Sequence, residues 1–176
     1  MTPEPIIKII LMSDRFLKFF GHLVPDEGTY SDDPDDSGGR TIFGISEASF
    51  PNQFLVCYNL YQTQGKEKSL AYAQQFYAAN FYKPIYDQIH DERVAFKVYD
   101  LGINEGCVTA IKLLQEAIGC DSDGIFGQNT LSMVNSKDCY QDYLNEAEKH
   151  YRDIVGKNPK DKKFLNGWLN RLHRSI

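Results

Sequence analysis

Apolar residues recur at helical spacing along almost the whole chain, and strand signals are sparse; no other feature restricts the fold so much. Behind Ser13, a good N-cap residue, Phe16, Leu17, Phe19, Phe20, Leu23 and Val24 form one such stripe. Pro25 ends it, because proline has no amide hydrogen and crowds the preceding turn. A second helical pattern covers 66–82 and stops at Pro84. A new set begins near Arg93. Val94, Ala95, Val98 and Leu101 lead to Gly102, and Val108, Ile111, Leu114, Gln115 and Ile118 lead to Gly119. Asp123–Gly127 reads as a turn, Thr130, Leu131 and Val134 as a short helix, and 140–155 as a longer one. Phe164, Leu165, Trp168, Leu169 and Leu172 close the chain. The expected fold class is mainly α, with at most a small β-hairpin after Glu27.

The 176 residues carry 24 acidic and 19 basic side chains, a net charge of −5, which argues against nucleic acid as the main partner. The run Ile6–Met12 is interrupted by Lys8 and followed by Asp14 and Arg15. It is too short to cross a membrane and lacks a small-residue cleavage site, so neither an integral membrane segment nor a signal peptide is expected. Cys57, Cys107, Cys120 and Cys139 form no C-x-x-C pair and have no histidine at ligand spacing. Free thiols, no metal and no cofactor are therefore expected.

Between the first two helical patterns lies the polar stretch 26–41. Six carboxylates fall among its first eleven residues. A solvated, turn-forming loop is one reading. Calcium is a second: Asp33, Asp35, Ser37 and Gly38 match the start of an EF-hand loop, but position twelve falls on Gly44 instead of a bidentate glutamate, which argues against it. The third is glycosidic hydrolysis, in which one carboxylic acid protonates the leaving oxygen and a second group activates water. Glu27, at the end of an apolar helix, is placed for a raised pKa. Asp36 follows nine residues later and Thr41 fourteen, across glycines that let the loop fold back.

That spacing resembles the phage-type lysozymes. The wider string Glu27-Gly28-x-Tyr30-x-x-Asp33-Pro34-x-Asp36-x-Gly38-Gly39-x-Thr41-x-x-Gly44-Ile45 resembles the glycoside hydrolase family 108 muramidases, which include phage endolysins and proteins labelled secretion activators. It departs from them at Thr29, where a second glycine is usual, and at Ser37, where proline is common. The second half is similar to the peptidoglycan-binding module that follows this domain in the family. The matching residues are Asp100, Gly102, Asn104, Gly106, Leu114-Gln115, Asp123-Gly124-Ile125-Phe126-Gly127, Thr130-Leu131 and Phe164-Leu165-x-Gly167-Trp168-x-x-Arg171.

The resemblance implies a lysozyme-like catalytic region over 1–92 and a helical peptidoglycan-binding region over 93–176 packed against it. It implies an N-acetylmuramidase that cuts the β-1,4 bond between N-acetylmuramic acid and N-acetylglucosamine. Glu27 would be the general acid, with Asp36 and Thr41 holding the water and Tyr30, Asn104 and Gln115 touching substrate. Packing for Tyr30, helix capping for Asn104 and a buried hydrogen bond for Gln115 stand beside those roles. The partner is peptidoglycan glycan, the protein a monomer, and its place of action the cell wall or periplasm, reached by holin-like or specialised export from a host or prophage. The alternatives are a lytic transglycosylase, which needs no water-activating Asp36, and a non-catalytic wall-binding accessory protein in secretion or wall remodelling.

Overall fold

The computed structural model describes residues 12–24, 29–32, 39–174 and 176, and these form a mainly α, lysozyme-like fold. The chain divides into two compact units, one ending at Tyr82 and one beginning at Lys83.

The first unit opens with α1 (Asp14–Leu23). Ser13 caps it as its sequence suggests: the Phe16 amide donates to Ser13 Oγ at 3.2 Å, and Asp14 sits in the positive first turn. Phe16, Phe19 and Phe20 are buried along one face. The last turn closes through the Val24 amide to the Phe20 carbonyl, just ahead of Pro25. A second helix, α2 (Pro51–Gln64), follows a small sheet, and α3 (Lys66–Asn80) follows α2 after Gly65. Aromatic edges join these elements: Phe20 meets Tyr77 of α3 at 5.6 Å between ring centroids, and Phe16 meets Tyr82 at 5.3 Å. Phe50, Phe76 and Phe81 form a second aromatic knot, all three pairs edge-on.

The small sheet is a meander of β1 (Tyr30–Ser31), β2 (Thr41–Ile42) and β3 (Ile45–Ser46), paired antiparallel in that order. Tyr30 faces Ile42 and Ser31 faces Thr41; Thr41 then faces Ser46, and Ile42 faces Ile45. The β1–β2 pair is the hairpin expected after Glu27, and β3 adds a third strand.

A two-residue connection, Phe43–Gly44, joins β2 to β3 with positive φ at both positions, 48° and 76°. That is the handedness a tight hairpin requires, and it is costly for phenylalanine. Tertiary contacts offset the cost. The Phe43 ring is buried, its amide donates to the Thr29 carbonyl at 2.8 Å, and its carbonyl accepts the Tyr77 hydroxyl at 3.2 Å. A Cβ on Gly44 would lie 2.7 Å from that same hydroxyl oxygen. Gly44→Ala is therefore expected to strain the backbone and displace Tyr77, lowering stability by about 2 kcal/mol in denaturant unfolding.

In the second unit, α4 (Glu92–Glu105) is the central helix: every residue from Val94 to Gly102 is buried. Around it run α5 (Cys107–Ile118), α6 (Gln128–Ser136), α7 (Tyr140–Lys157) and α8 (Lys162–Leu172). A helix buried all round must place polar residues inside, and α4 does so with Lys97 and Asp100, each almost fully buried. Asp100 accepts Arg171 of α8 through Nε and Nη2, both at 2.9 Å. Lys97 Nζ lies 3.5 Å from the other Asp100 oxygen and donates to the Arg171 carbonyl at 3.3 Å. One buried carboxylate thus fastens the last helix to the central one, with both cations compensating its burial. Tyr143 of α7 is also buried and donates its hydroxyl to the Ala110 carbonyl of α5 at 2.8 Å.

All four cysteines are free, Cys57 and Cys139 buried and the other two half-buried. Among the described residues, no helix is long and apolar enough to cross a membrane.

Candidate functional site

The acidic stretch is held at its stems by elements that follow from local sequence. Tyr30 and Ser31 pair with Ile42 and Thr41, so the chain that leaves at Asp32 returns at Gly39 beside its starting point. Glu27 and Asp36 lie outside the described residues. Thr41 sits on β2, half-buried, with its backbone between Ser31 and Ser46. Tyr30, on the neighbouring strand, is half-buried as well. Its ring packs 5.2 Å from that of Tyr58, and its hydroxyl donates to Asp32 Oδ2 at 3.3 Å. Burial pushes the Tyr30 hydroxyl up, the neighbouring Arg40 opposes that, and the Asp32 charge adds to it. The structure thus brings Tyr30 and Thr41 onto adjacent strands of one sheet.

Three residues beside them were not singled out by the sequence: Arg40, Glu47 and Tyr58. Arg40 donates to both carboxylate oxygens of Glu47, Nε at 2.8 Å and Nη2 at 2.5 Å. Its guanidinium lies 5.2 Å from the Phe54 ring centre and 5.9 Å from that of Tyr58, both on α2. The fork holds the Glu47 carboxyl below the usual range. One signal was available: Arg40 is the one Lys or Arg between Lys18 and Lys66, and it closes the acidic run.

In the second unit, Asn104 is exposed on the last turn of α4. Gln115, by contrast, is 2% exposed, and its amide organises the turn after α5. Its nitrogen donates to Asp123 Oδ1 (2.7 Å), the Ile125 carbonyl (3.2 Å) and Thr130 Oγ1 (3.2 Å), and its oxygen accepts the buried Gly124 amide at 2.8 Å. The motif residues Gln115, Asp123, Gly124 and Thr130 are therefore one hydrogen-bonded unit. The Ile125 amide, with the Gln115 amide second, holds the Asp123 carboxyl below its ordinary value of 3.8. A lowered carboxyl contributes stability that is complete above that value and lost as pH falls through the lowered one. Gln115→Leu is expected to strand the Gly124 amide, costing about 1–3 kcal/mol. Unfolding followed against pH in acid should also show a weaker dependence than wild type.

Between α5 and α7 runs an open groove of about 260 Å³ edged by side chains of both signs, including Lys112, Glu116, Lys149 and Asp153. His150, on its rim, lies 3.3 Å from Glu105. Among the described residues, no group of three or more histidine, cysteine or carboxylate side chains is placed to hold a metal.

The matches to known families fall on these two regions. A family model described as glycosyl hydrolase 108 matches residues 20–106, and one described as a predicted peptidoglycan domain follows at 109–173. The chain belongs to the glycosyl hydrolase 108 family, in the arrangement that carries a peptidoglycan domain behind the hydrolase domain. Among solved structures it is similar to SagA of Brucella abortus, with 25% sequence identity and a TM-score of 0.57 over 89% of this chain and 88% of that one. No curated protein matches it. The family and the second domain make peptidoglycan the partner and define a muramidase-type role.

Proposed function

We propose that the protein is an N-acetylmuramidase that hydrolyses the β-1,4 bond between N-acetylmuramic acid and N-acetylglucosamine. The observation that carries this reading is the nineteen-residue string from Glu27 to Ile45 lying within the glycosyl hydrolase 108 match. Glu27 is the general acid. Asp36 activates the water and Thr41 holds it. The return of the acidic stretch onto a strand pair carrying Tyr30 and Thr41 supports that division of labour, since it keeps two proposed participants adjacent. Tyr30 offers the sugar a ring edge and a hydroxyl.

Residues 93–176 form the wall-recognition region, in which exposed Asn104 is the glycan contact and buried Gln115 shapes the turn that accompanies it. The protein acts as a monomer on the wall, reaching it by holin-like or specialised export.

Digestion of purified peptidoglycan, with mass spectrometry of the new ends, tests the reading. Reducing N-acetylmuramic acid ends are expected. Anhydro ends would make the protein a lytic transglycosylase, and wall binding without released sugar would make it an accessory protein.

A further inference from the structure

We infer that Arg40 is the positioning residue of the active site: it fixes the return of the acidic stretch, and with it Thr41, against Tyr30 and α2. The inference rests on the muramidase reading. It starts from the number of elements that meet on one side chain. Arg40 lies at the start of β2, between Gly39, where the described chain resumes, and Thr41. Its fork engages Glu47 just beyond β3, and its carbonyl accepts the Glu47 amide at 2.9 Å, so residues 40 and 47 are tied through both side chain and backbone. Its guanidinium also covers two rings of α2, one of which, Tyr58, packs 5.2 Å from the Tyr30 ring of β1. Strand β1, the β2–β3 hairpin and α2 are thereby fastened at one point.

Stability alone does not account for this arrangement. The Arg40 and Glu47 side chains are each 40% exposed, and an ion pair with that much solvent contributes little to folding. Its geometry, however, is specific. A planar fork that pairs with a carboxylate and lies over aromatic faces at once cannot be reproduced by lysine, which is a point charge on a flexible stem. What such a contact supplies is direction. The residue after it, Thr41, is a proposed water-holding group, and the segment before it carries Asp36. Misplacing a reacting group by about 1 Å can cost ~10²-fold in rate while leaving ground-state binding intact.

The test is steady-state kinetics on purified peptidoglycan with wild type, Glu27→Gln, Arg40→Lys and Arg40→Ala, each accompanied by a thermal melt. Arg40→Ala is expected to lower kcat by ~10²-fold and Arg40→Lys by ~10-fold, with KM within about twofold and Tm nearly unchanged in the lysine variant. Losses of kcat that track losses of Tm would make Arg40 a structural residue and overturn the inference. So would an Arg40→Lys enzyme with wild-type kcat in an assay where Glu27→Gln is inactive; that result overturns the positioning role and leaves the muramidase reading standing. A wild type that releases no sugar removes both.

Discussion

Glu27→Gln is expected to yield a folded protein that still binds cell walls and releases almost no sugar. Glutamine has the shape of a protonated glutamate and keeps a hydrogen-bond donor, but it has no proton that it can transfer to the leaving oxygen. Positioned general acids typically contribute 10²–10⁴-fold, so a loss of about that size is expected in kcat. Glu27 falls in the short segment that joins α1 to β1. The last described residue of α1's final turn is Val24, and β1 opens at Tyr30. The helix before it is anchored by Phe16, Phe19 and Phe20, none of which the substitution alters. The general acid works only while protonated. The checks are sugar release, pelleting with purified walls and a thermal melt on one preparation. A Glu27→Gln protein that releases sugar at the wild-type rate would remove this residue from the chemistry.

Most helices were legible because their signals are local. Ser13 both looks like a cap and is one, and the apolar stripes of α1 and α5 are buried as their spacing suggests. Helix α2 was not legible. Phe50 precedes it with no side-chain cap, and its apolar residues are spread around the helix, with Phe54 and Cys57 buried but Leu55 exposed. Pro51 in its first turn was the signal available. The expected end of α4 at Gly102 also differs from the structure, in which the helix continues to Glu105. Gly102 is buried against neighbours inside the helix, and Gly106, with φ of 86°, is the residue whose backbone turns the chain.

The candidate site divides along the same line. Glu27, Asp36 and Thr41 stand together in the sequence only through their resemblance to a family motif, and of the three only Thr41 lies among the described residues. Spacing does not show that Gln115 turns its amide inward to Asp123 and Gly124, nor that Arg40 reaches Glu47, Phe54 and Tyr58. Those contacts depend on how strands and helices are brought together, and nothing in the local sequence encodes it.

Asp36→Asn is expected to lose most of the activity while retaining wall binding, and Asp35→Asn to lose little. The reason is geometric. In an inverting glycosidase the acid and the water-activating carboxylate stand ~6.5–9.5 Å apart with the bond and a water between them, whereas a retaining enzyme needs ~5–5.5 Å. Ser31 pairs with Thr41, so the two ends of the acidic stretch, Asp32 and Gly39, adjoin one strand pair that also carries Tyr30. In the proposed mechanism Asp36, nine residues after Glu27 and five before Thr41 in sequence, shares one water with the threonine hydroxyl. Asparagine keeps the size and an acceptor oxygen but cannot take the proton from water, so the loss should fall on kcat with KM little changed. The stereochemistry of the product gives a check independent of mutagenesis. Water delivered from the face opposite the leaving group turns a β-linked strand into a reducing end that is α when first released, which NMR of early time points reads directly. A β product, or an Asp36→Asn enzyme of ordinary activity, would mean that another group handles the water. Glu27 would remain the acid in that case, and the two-carboxylate mechanism would be wrong.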